Sequence, residues 1–342
     1  IKKLTIFIIV FILITFKSLT DEVQFEASNM DITDDGNLIV ASDTITVIPL
    51  KKLKITSKKA IYNKKLNKLN FIDNVLIKDA INDIIIESNN IIYEKENDLI
   101  YSLGNSKFFL KDGYKIFAEN IYLDRNKNKI FGKEDAIIED AEGNLYKLKD
   151  KYEFDILDKI IKSRNSVIID SNNNKYIFEN LIINLQNNEI AGKEVKVEFE
   201  KSYFGNPNND PILKGRSAHS NDEELNIYKA VFSTCNIDDR ECRGWELNTE
   251  EFRHDKKNKI FEYRDSWLKI FDFKLLYLPY FNHPDPTVKR KSGFLAPSYS
   301  TSESLGNAIN FPYFKVLGND KDLTFNPRYY ADKSFLLQNE YR

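Results

Sequence analysis

Short runs of alternating hydrophobic and polar residues follow one another along most of the chain, separated by clusters of Asn, Asp, Gly and Lys. In the clearest run Val195, Val197 and Phe199 occupy one face and charged residues the other. A period of two is typical of a β-strand that buries one face, and the intervening clusters are typical of turns. The sequence shows no helical periodicity. The pattern therefore predicts an all-β protein built from antiparallel strands.

An apolar, often tyrosine-containing segment recurs about every 30 residues up to about residue 205. Its landmarks are Tyr62, Tyr93, Tyr122, Tyr152 and Ile182. The best-matching segments, 119–133 and 179–193, align without a gap, and each ends in Gly-Lys. A repeat of this length in β-rich sequence indicates stacked strand pairs that cover one another's apolar faces. We therefore expect an elongated β-solenoid-like or jellyroll domain.

The first 20 residues have the pattern of an export signal. Lys2 and Lys3 precede a largely apolar run, 4–16, that is too short to span a bilayer as a helix. Small residues at 18 and 20 favour cleavage before Asp21, and an uncleaved anchor is the alternative. No later segment approaches the ~18 apolar residues of a transmembrane helix. Any later entry into a membrane would therefore use β-strands.

Composition narrows the function and divides the chain. A net charge of −2 over 342 residues excludes the overall basic character typical of a nucleic-acid-binding protein. The hydrophobic content of 42% is sufficient for a folded core. Eight of the nine prolines, both tryptophans and both cysteines lie beyond residue 205. A second structural region therefore begins there, and the Pro-rich segment 283–286 indicates a further boundary.

Two prolines lie in the strand-like segments near the C-terminus. Four such segments follow Lys291, at 293–300, 308–316, 323–331 and 334–341. Their length suits transmembrane β-strands. Pro297 and Pro312 lie in the first two segments, where each removes a backbone donor from the sheet. The pair predicts neighbouring strands with a weakened ladder.

Catalytic and metal-binding motifs are missing from the sequence. His219, His254 and His283 do not have the spacing of metal ligands, and the two cysteines have no zinc-type partner pair. The sequence also contains no G-x-S-x-G segment and no nucleotide-binding loop. We therefore predict no enzyme activity, no cofactor and no metal.

A set of motifs beyond residue 205 resembles one known family. The motifs are the segments 210–216 (DPILKGR), 232–235 (FSTC) with Trp245, 276–281 (LYLPYF), 290–297 (RKSGFLAP), 311–314 (FPYF) and 322–327 (DLTFNP). In this order they resemble the lipopolysaccharide-assembly outer-membrane protein family LptD, also called OstA or Imp. The N-terminal repeats match only the OstA-type β pattern, which periplasmic bridge proteins share.

The resemblance implies an all-β fold in which an OstA-type, LptA-like jellyroll is followed by the start of a transmembrane antiparallel β-barrel. The expected domains are a signal peptide over 1–20, a periplasmic jellyroll over 21–288 and the first barrel strands over 289–342. The family's barrel has roughly two dozen strands. The chain is therefore expected to be truncated at its C-terminus.

The resemblance also implies transport of lipopolysaccharide from an apolar jellyroll groove to the outer leaflet of the outer membrane. Pro297 and Pro312 match prolines of the first two barrel strands, where missing donors weaken a lateral gate. The implied partners are lipopolysaccharide, an LptA-type bridge protein at the N-terminal jellyroll edge, an LptE-type lipoprotein plug and the outer membrane, without nucleic acid. Two alternatives stay open: a soluble periplasmic lipid-bridge protein of the LptA/LptC type and a β-solenoid carbohydrate-active enzyme.

A disulfide and a head-group contact are further candidates. Cys235 matches a family cysteine that is linked to the distant barrel, whereas Cys242 is near enough in sequence for a local bridge. A local bridge, a distant link and free thiols all stay open. A basic stretch is a candidate contact for lipid phosphates, and the alternative is a solvated face that protects a sheet edge. Its candidate residues are Lys51, Lys52, Lys54, Lys58 and Lys59.

Overall fold

The computed structural model describes residues 22–170, 172–200, 211–234, 244–288, 290–295, 297–302, 306–331 and 334–342. The expected signal peptide and both cysteines, Cys235 and Cys242, lie outside these ranges. Strands and turns account for the described residues, which confirms the all-β fold class. Within the same ranges, no helix is long and apolar enough to cross a membrane. The described residues form two compact units, one before residue 171 and one from Asn172 onward.

The first unit is an antiparallel succession of strands. Its strands are β1 (Gln24–Glu26), β2 (Asn29–Thr33), β3 (Leu38–Ile48), β4 (Leu53–Asn63), β5 (Lys68–Asp79), β6 (Ile84–Glu94), β7 (Leu99–Leu110), β8 (Lys115–Asp124), β9 (Lys129–Gly132), β10 (Ala136–Glu139), β11 (Leu145–Asp155) and β12 (Ile160–Ile169). From β3 to β8 each strand pairs with the next, and both β1 and β2 pair with β3. The short strands β9 and β10 both pair with β8 and with β11, so together they occupy the place of one strand.

A residue with left-handed backbone conformation interrupts many strands of the first unit near the middle. These residues are Asp43, Asn74, Gly104, Asn120, Asp150 and Asn165, with φ between 48° and 72°. Asn, Asp and Gly tolerate this conformation better than other residues. The pairing register shifts close by, for example between Ile72 and Val75 in β5. Such bulges bend strands, and together they form a line of bends that crosses the sheet.

The buried core follows rows of residues that face one another across the strands. One row joins Tyr62 in β4, Tyr93 in β6, Leu123 in β8 and Phe154 in β11 through intervening strands. All four side chains are buried. The register therefore places Leu123 and Phe154, not the sequence landmarks Tyr122 and Tyr152, in the row of Tyr62 and Tyr93. Tyr122 instead stacks on Tyr101, with ring centroids 4.1 Å apart.

The glycines of the two Gly-Lys pairs each lie against an aromatic ring. A Cβ on Gly132 would lie 2.5 Å from the Tyr152 hydroxyl oxygen, and one on Gly192 would lie 2.2 Å from Phe178 Cδ1. Both distances are below van der Waals contact, so a neighbouring ring occupies the space of a side chain. The glycines shared by the aligned segments are therefore explained by packing.

Replacing Gly192 by alanine is expected to destabilise the second unit by about 1–3 kcal/mol, because the new methyl group displaces the Phe178 ring from a packed site. Urea unfolding followed by tryptophan fluorescence would measure the loss. Gly244→Ala is the control, because nothing lies within 4 Å of the Cβ that it adds. Equal stability of the two variants would contradict the packing explanation.

A buried ion cluster joins four turns and strand ends of the first unit. Arg125 donates two hydrogen bonds to Asp79, at 2.8 and 2.9 Å, and one to Asp98 at 2.7 Å. Its guanidinium also donates to the Lys51 carbonyl at 2.6 Å, and the Lys51 ammonium lies 3.0 Å from Asp98. The Tyr93 hydroxyl completes the cluster by donating to Asp98. The Arg125 side chain is 1% exposed, so these contacts replace its hydration.

The second unit contains two separate sheets. The first is a simple antiparallel meander of β13 (Lys175–Asn184), β14 (Glu189–Glu198), β15 (Ile212–Ser220), β16 (Glu224–Ser233), β17 (Trp245–Asp255), β18 (Ile260–Ile270) and β19 (Phe273–Pro284). The other, the C-terminal sheet, contains β20 (Gly293–Phe294), β21 (Ser298–Ser302), β22 (Gly306–Asn310), β23 (Tyr313–Val316), β24 (Asp322–Tyr330) and β25 (Phe335–Tyr341). In it β20 pairs with β23, β21 with β22, and β24 with β22, β23 and β25.

Candidate functional site

A cavity of about 1010 Å³ lies along the line of bends in the first unit. Six strands line it: β5, β6, β7, β8, β10 and β11, together with the segment before β10. Neighbouring strands are about 4.8 Å apart, so six of them extend over roughly 24 Å. The cavity is therefore a groove that runs across the strands, and it is the candidate binding site of this chain.

The floor of the groove is one continuous row of paired residues. Its members in order are Val75, Ser88, Ser106, Ala118, Ala136 and Leu148. All six are buried, and the four central side chains are only serine or alanine. Larger side chains at these positions would fill the space. The run of small residues therefore explains why a cavity exists at this level of the sheet.

The adjacent row forms the rim and combines three apolar with three charged side chains. It consists of Leu76, Glu87, Lys107, Phe117, Ile137 and Lys147, again paired strand by strand. Ile137 is 39% exposed although it lines the cavity. A groove with a neutral floor and a charged rim suits an amphiphile whose apolar part is enclosed while its polar part faces water.

Hydroxyl groups in the floor are satisfied within the protein. The Ser106 Oγ lies 2.9 Å from the Gly104 carbonyl oxygen and 3.2 Å from Ser88 Oγ, so its single proton has an acceptor within reach. Beside the rim, Asn120 donates to both carboxylate oxygens of the cavity-lining Glu134, at 2.9 and 2.8 Å. The floor therefore carries no charge, and the charges near the groove belong to exposed or half-buried side chains.

The structure separates the five candidate head-group lysines. Lys51 pairs with Asp98 in the buried ion cluster, so its charge is already compensated. Lys52 lies in the β3–β4 turn, and Lys54 is exposed on β4. Lys58 and Lys59 are exposed at the bend of β4. Lys59 is the cross-strand partner of Ile72 in β5, which is the first strand of the groove. Only these two lie next to one end of the groove.

The two candidate gate prolines lie close together in the C-terminal sheet. Pro297 directly precedes β21, and Pro312 directly precedes β23. The Leu295 amide donates to the Pro312 carbonyl at 2.8 Å, and Ser298 pairs with Asn310. Both prolines therefore lie where the two neighbouring strand segments are interrupted. The candidate disulfide residues, Cys235 and Cys242, lie outside the described residues.

Two of the three histidines, His254 and His283, flank Phe261 near the start of β18. His254 Nε2 lies 2.7 Å from Asp285 Oδ2, and His283 Nε2 lies 3.0 Å from the Tyr263 hydroxyl. Burial alone would raise the pKa of Asp285, but hydrogen bonds from His254 and Thr287 reverse this effect and hold it below its usual range. Burial lowers the pKa of His283. The described part of the chain contains no group of three or more potential metal ligands, and Asp285 anchors the segment between the two sheets.

Sequence reasoning did not identify the groove residues, although a signal for them exists. An Asp, Asn or Gly in the middle of an alternating run marks a bend, as in Ser42-Asp43-Thr44 or Gly104-Asn105-Ser106. The small residues of the floor lie within two positions of such bends in β7 and β8. Their alignment into one row, however, depends on the register of the strands.

Several known proteins that share one name match part of this chain. Proteins named LPS-assembly protein LptD match this chain with 31% identity over 138 residues in Shewanella sp. (strain MR-4), and with 33% identity over 113 residues in Nitrosococcus oceani. The one from Idiomarina loihiensis is 28% identical over 163 residues. These matches cover 38%, 33% and 45% of this chain but only 18%, 15% and 21% of the relatives. The chain thus matches about a fifth of the length of these relatives.

A solved structure and the family comparison complete this picture. The structure is LptH from Pseudomonas aeruginosa, described as the LptA-homologous periplasmic component of the lipopolysaccharide transport device. Its TM-score is 0.31 at 15% identity, and the similarity covers 34% of this chain and 83% of LptH. No family model matches the chain.

Proposed function

We propose that this chain, which belongs to the LptD/OstA family of LPS-assembly proteins, carries lipopolysaccharide in the groove of its first unit for assembly at the outer membrane. The observation that carries the proposal is the floor row of small, buried residues bounded by a rim of mixed apolar and charged side chains. Moving the acyl chains from water into such a groove lowers the free energy by about 25 cal/mol per Å² of apolar surface that is buried. The phosphate and sugar groups stay hydrated at the rim.

The release step in this proposal uses the C-terminal sheet as the beginning of a transmembrane β-barrel. Residues 289–342 are its first strands, and residues 21–288 form the periplasmic jellyroll. Pro297 and Pro312 form a lateral gate, because neither can donate a backbone hydrogen bond to a neighbouring strand. The gate lets a lipid leave sideways without crossing a fully bonded wall.

The proposed partners follow from the same assignment. An LptA-type bridge protein delivers the lipid by pairing with the N-terminal edge, where β1 and β2 are short and largely exposed. An LptE-type lipoprotein occupies the barrel to which the C-terminal sheet belongs. Lys58 and Lys59 are the head-group contacts, because they lie at the bend next to one end of the groove.

A photo-crosslinking residue at Ile137 is expected to capture lipopolysaccharide in cells, because this side chain lines the groove. The matched control is the same residue at Ile85. Ile85 is 40% exposed, almost equal to the 39% of Ile137, but it does not line the groove. Immunoblotting with an antibody against lipopolysaccharide would measure the captured adduct.

If exposure alone determined crosslinking, the two positions would capture equal amounts of lipopolysaccharide. That result would contradict binding in the groove. Capture at Ile85 without capture at Ile137 would place the lipid elsewhere on β6. Capture at Ile137 that persists after the export machinery is depleted of its energy source would indicate static binding. If the bound lipid is being transported, depleting the energy source should lower the amount of lipopolysaccharide captured at Ile137.

A further inference from the structure

A third proline, Pro327, lies on the same line of the C-terminal sheet as Pro297 and Pro312. The three prolines are 15 residues apart in sequence, at 297, 312 and 327. In space, the Phe311 amide donates to the Pro327 carbonyl at 3.2 Å, directly beside the contact of Leu295 with Pro312. Pro327 lies inside β24, where it pairs on the other side with Leu337 of β25. The line therefore crosses three consecutive strand segments.

Each proline removes a donor from a different position in the ladder. An opposed pair of this kind in an antiparallel sheet normally exchanges two N–H···O bonds. Leu295 with Pro312 and Phe311 with Pro327 each keep one, because a proline has no N–H to return. The backbone groups of successive strand residues point to opposite sides, and Ser298 pairs with Asn310 of β22. The nitrogen of Pro297 therefore points to the outer edge of β21. Two successive seams and one edge thus lose a donor at nearly the same level.

The line also divides the sheet into two parts. On one side β20, β23 and the first half of β24 are joined to the preceding segment by the Arg290–Asp322 ion pair and by the Val316 amide, which donates to Ser292 Oγ at 2.9 Å. On the other side are β21, β22 and the end of β24; among the described residues these pair with one another and with β25, which also pairs with the first half of β24. One part is thus anchored and the other is not.

We propose that Pro327 is a third gate residue and that the unanchored part pivots as one piece about the line through the three prolines. The proposal rests on the lateral gate of the proposed function and adds the moving element and its hinge. Two neighbouring seams on the line, Leu295–Pro312 and Phe311–Pro327, lack a donor there, so bending them at this level breaks fewer hydrogen bonds than bending them at a level with complete pairs. The outer edge of β21 is where the movement opens the wall to a lipid.

Replacing Pro327 by alanine restores a donor to the Phe311 carbonyl and is expected to stiffen the whole line. In the complete protein in membrane vesicles, amide hydrogen exchange at Phe311 should slow about fivefold, the factor given by one net hydrogen bond of about 1 kcal/mol. Exchange at Leu295 should slow as well, although Pro327 does not pair with it, because one hinge movement exposes both amides. Surface delivery of lipopolysaccharide should fall in the same variant.

The matched control is Pro279→Ala in β19, outside the C-terminal sheet, which is expected to leave both amides and delivery unchanged. Slower exchange at Phe311 alone would mean two independent weak points and would overturn the single hinge. Normal delivery in Pro327→Ala, with reduced delivery in Pro312→Ala, would overturn the role of Pro327 but keep the gate. Normal delivery in Pro297→Ala, Pro312→Ala and Pro327→Ala alike would overturn the gate itself.

Discussion

Replacing Arg125 by methionine is expected to lower the free energy of unfolding of the first unit by about 3–5 kcal/mol. The substitution leaves the carboxylates of Asp79 and Asp98 buried without their main partner, which is the costly way to break a buried ion cluster. Urea unfolding followed by circular dichroism would measure the loss. Both tryptophans, Trp245 and Trp267, belong to the second unit, so their fluorescence in the same experiment reports whether that unit stays intact.

Two further variants test the explanation. Lys127→Ala removes an exposed ion pair with Asp124 and is expected to cost less than about 1 kcal/mol. Combining Arg125→Met with Asp79→Asn and Asp98→Asn removes the uncompensated charges and is expected to recover much of the lost stability. A combined variant as unstable as Arg125→Met alone would show that packing of the arginine side chain, and not charge, is responsible.

Acidification gives an independent test with a defined sign. Burial alone would raise the pKa of Asp79, but hydrogen bonds from Arg125 and Asn82 reverse this effect, so the pKa is below its ordinary value. The contribution of Asp79 to wild-type stability is therefore present above about pH 4, the unfolded pKa, and is lost as the pH falls towards the folded pKa. In Arg125→Met, the folded state favours the protonated form of the buried Asp79 carboxyl. The difference in stability between wild type and variant should therefore narrow as the pH falls through about 4.

Strand positions could be predicted from the sequence because alternation is a local property. Val195 and Val197 are buried on one face of β14, as their period indicates, whereas Phe199 lies just beyond the strand. The 30-residue repeat predicted which segments form strands, but not which residues face one another across neighbouring strands. Tyr122 is one residue away from Leu123, and a one-residue difference exchanges the two faces of a strand. Only the pairing register decides which residue belongs to the core.

The groove and the ion cluster could not be predicted, because both depend on contacts between distant segments. Arg125 lies in a polar turn sequence that predicts an exposed side chain. It is buried because Asp79 and Asp98, which are 46 and 27 residues earlier, meet it. The floor row likewise combines single residues from six segments. By contrast, the spacing of Pro312 and Pro327 was visible in the sequence, and only the register showed that they lie on one line.

Filling the groove from its floor is expected to abolish most lipid capture without unfolding the protein. Ala118 faces Ser106 on one side and Ala136 on the other, so a leucine at this position extends into the cavity. It takes the place of about two methylene groups of an acyl chain, each contributing about 0.8 kcal/mol of apolar burial. This loss corresponds to roughly tenfold weaker binding. Crosslinking from Ile137 in the Ala118→Leu background would measure it.

The matched control for this substitution is Ala60→Leu. Ala60 is as buried as the floor residues but lies outside the cavity, between Ala41 and Phe71. A leucine there has no space and is expected to cost about 1–3 kcal/mol of stability, whereas Ala118→Leu should change stability by less than about 1.5 kcal/mol. Together the two variants separate an open groove from a packed core. If Ala118→Leu destabilised the first unit as much as Ala60→Leu does, the floor row would be ordinary core packing, and the acyl chains would have to bind elsewhere.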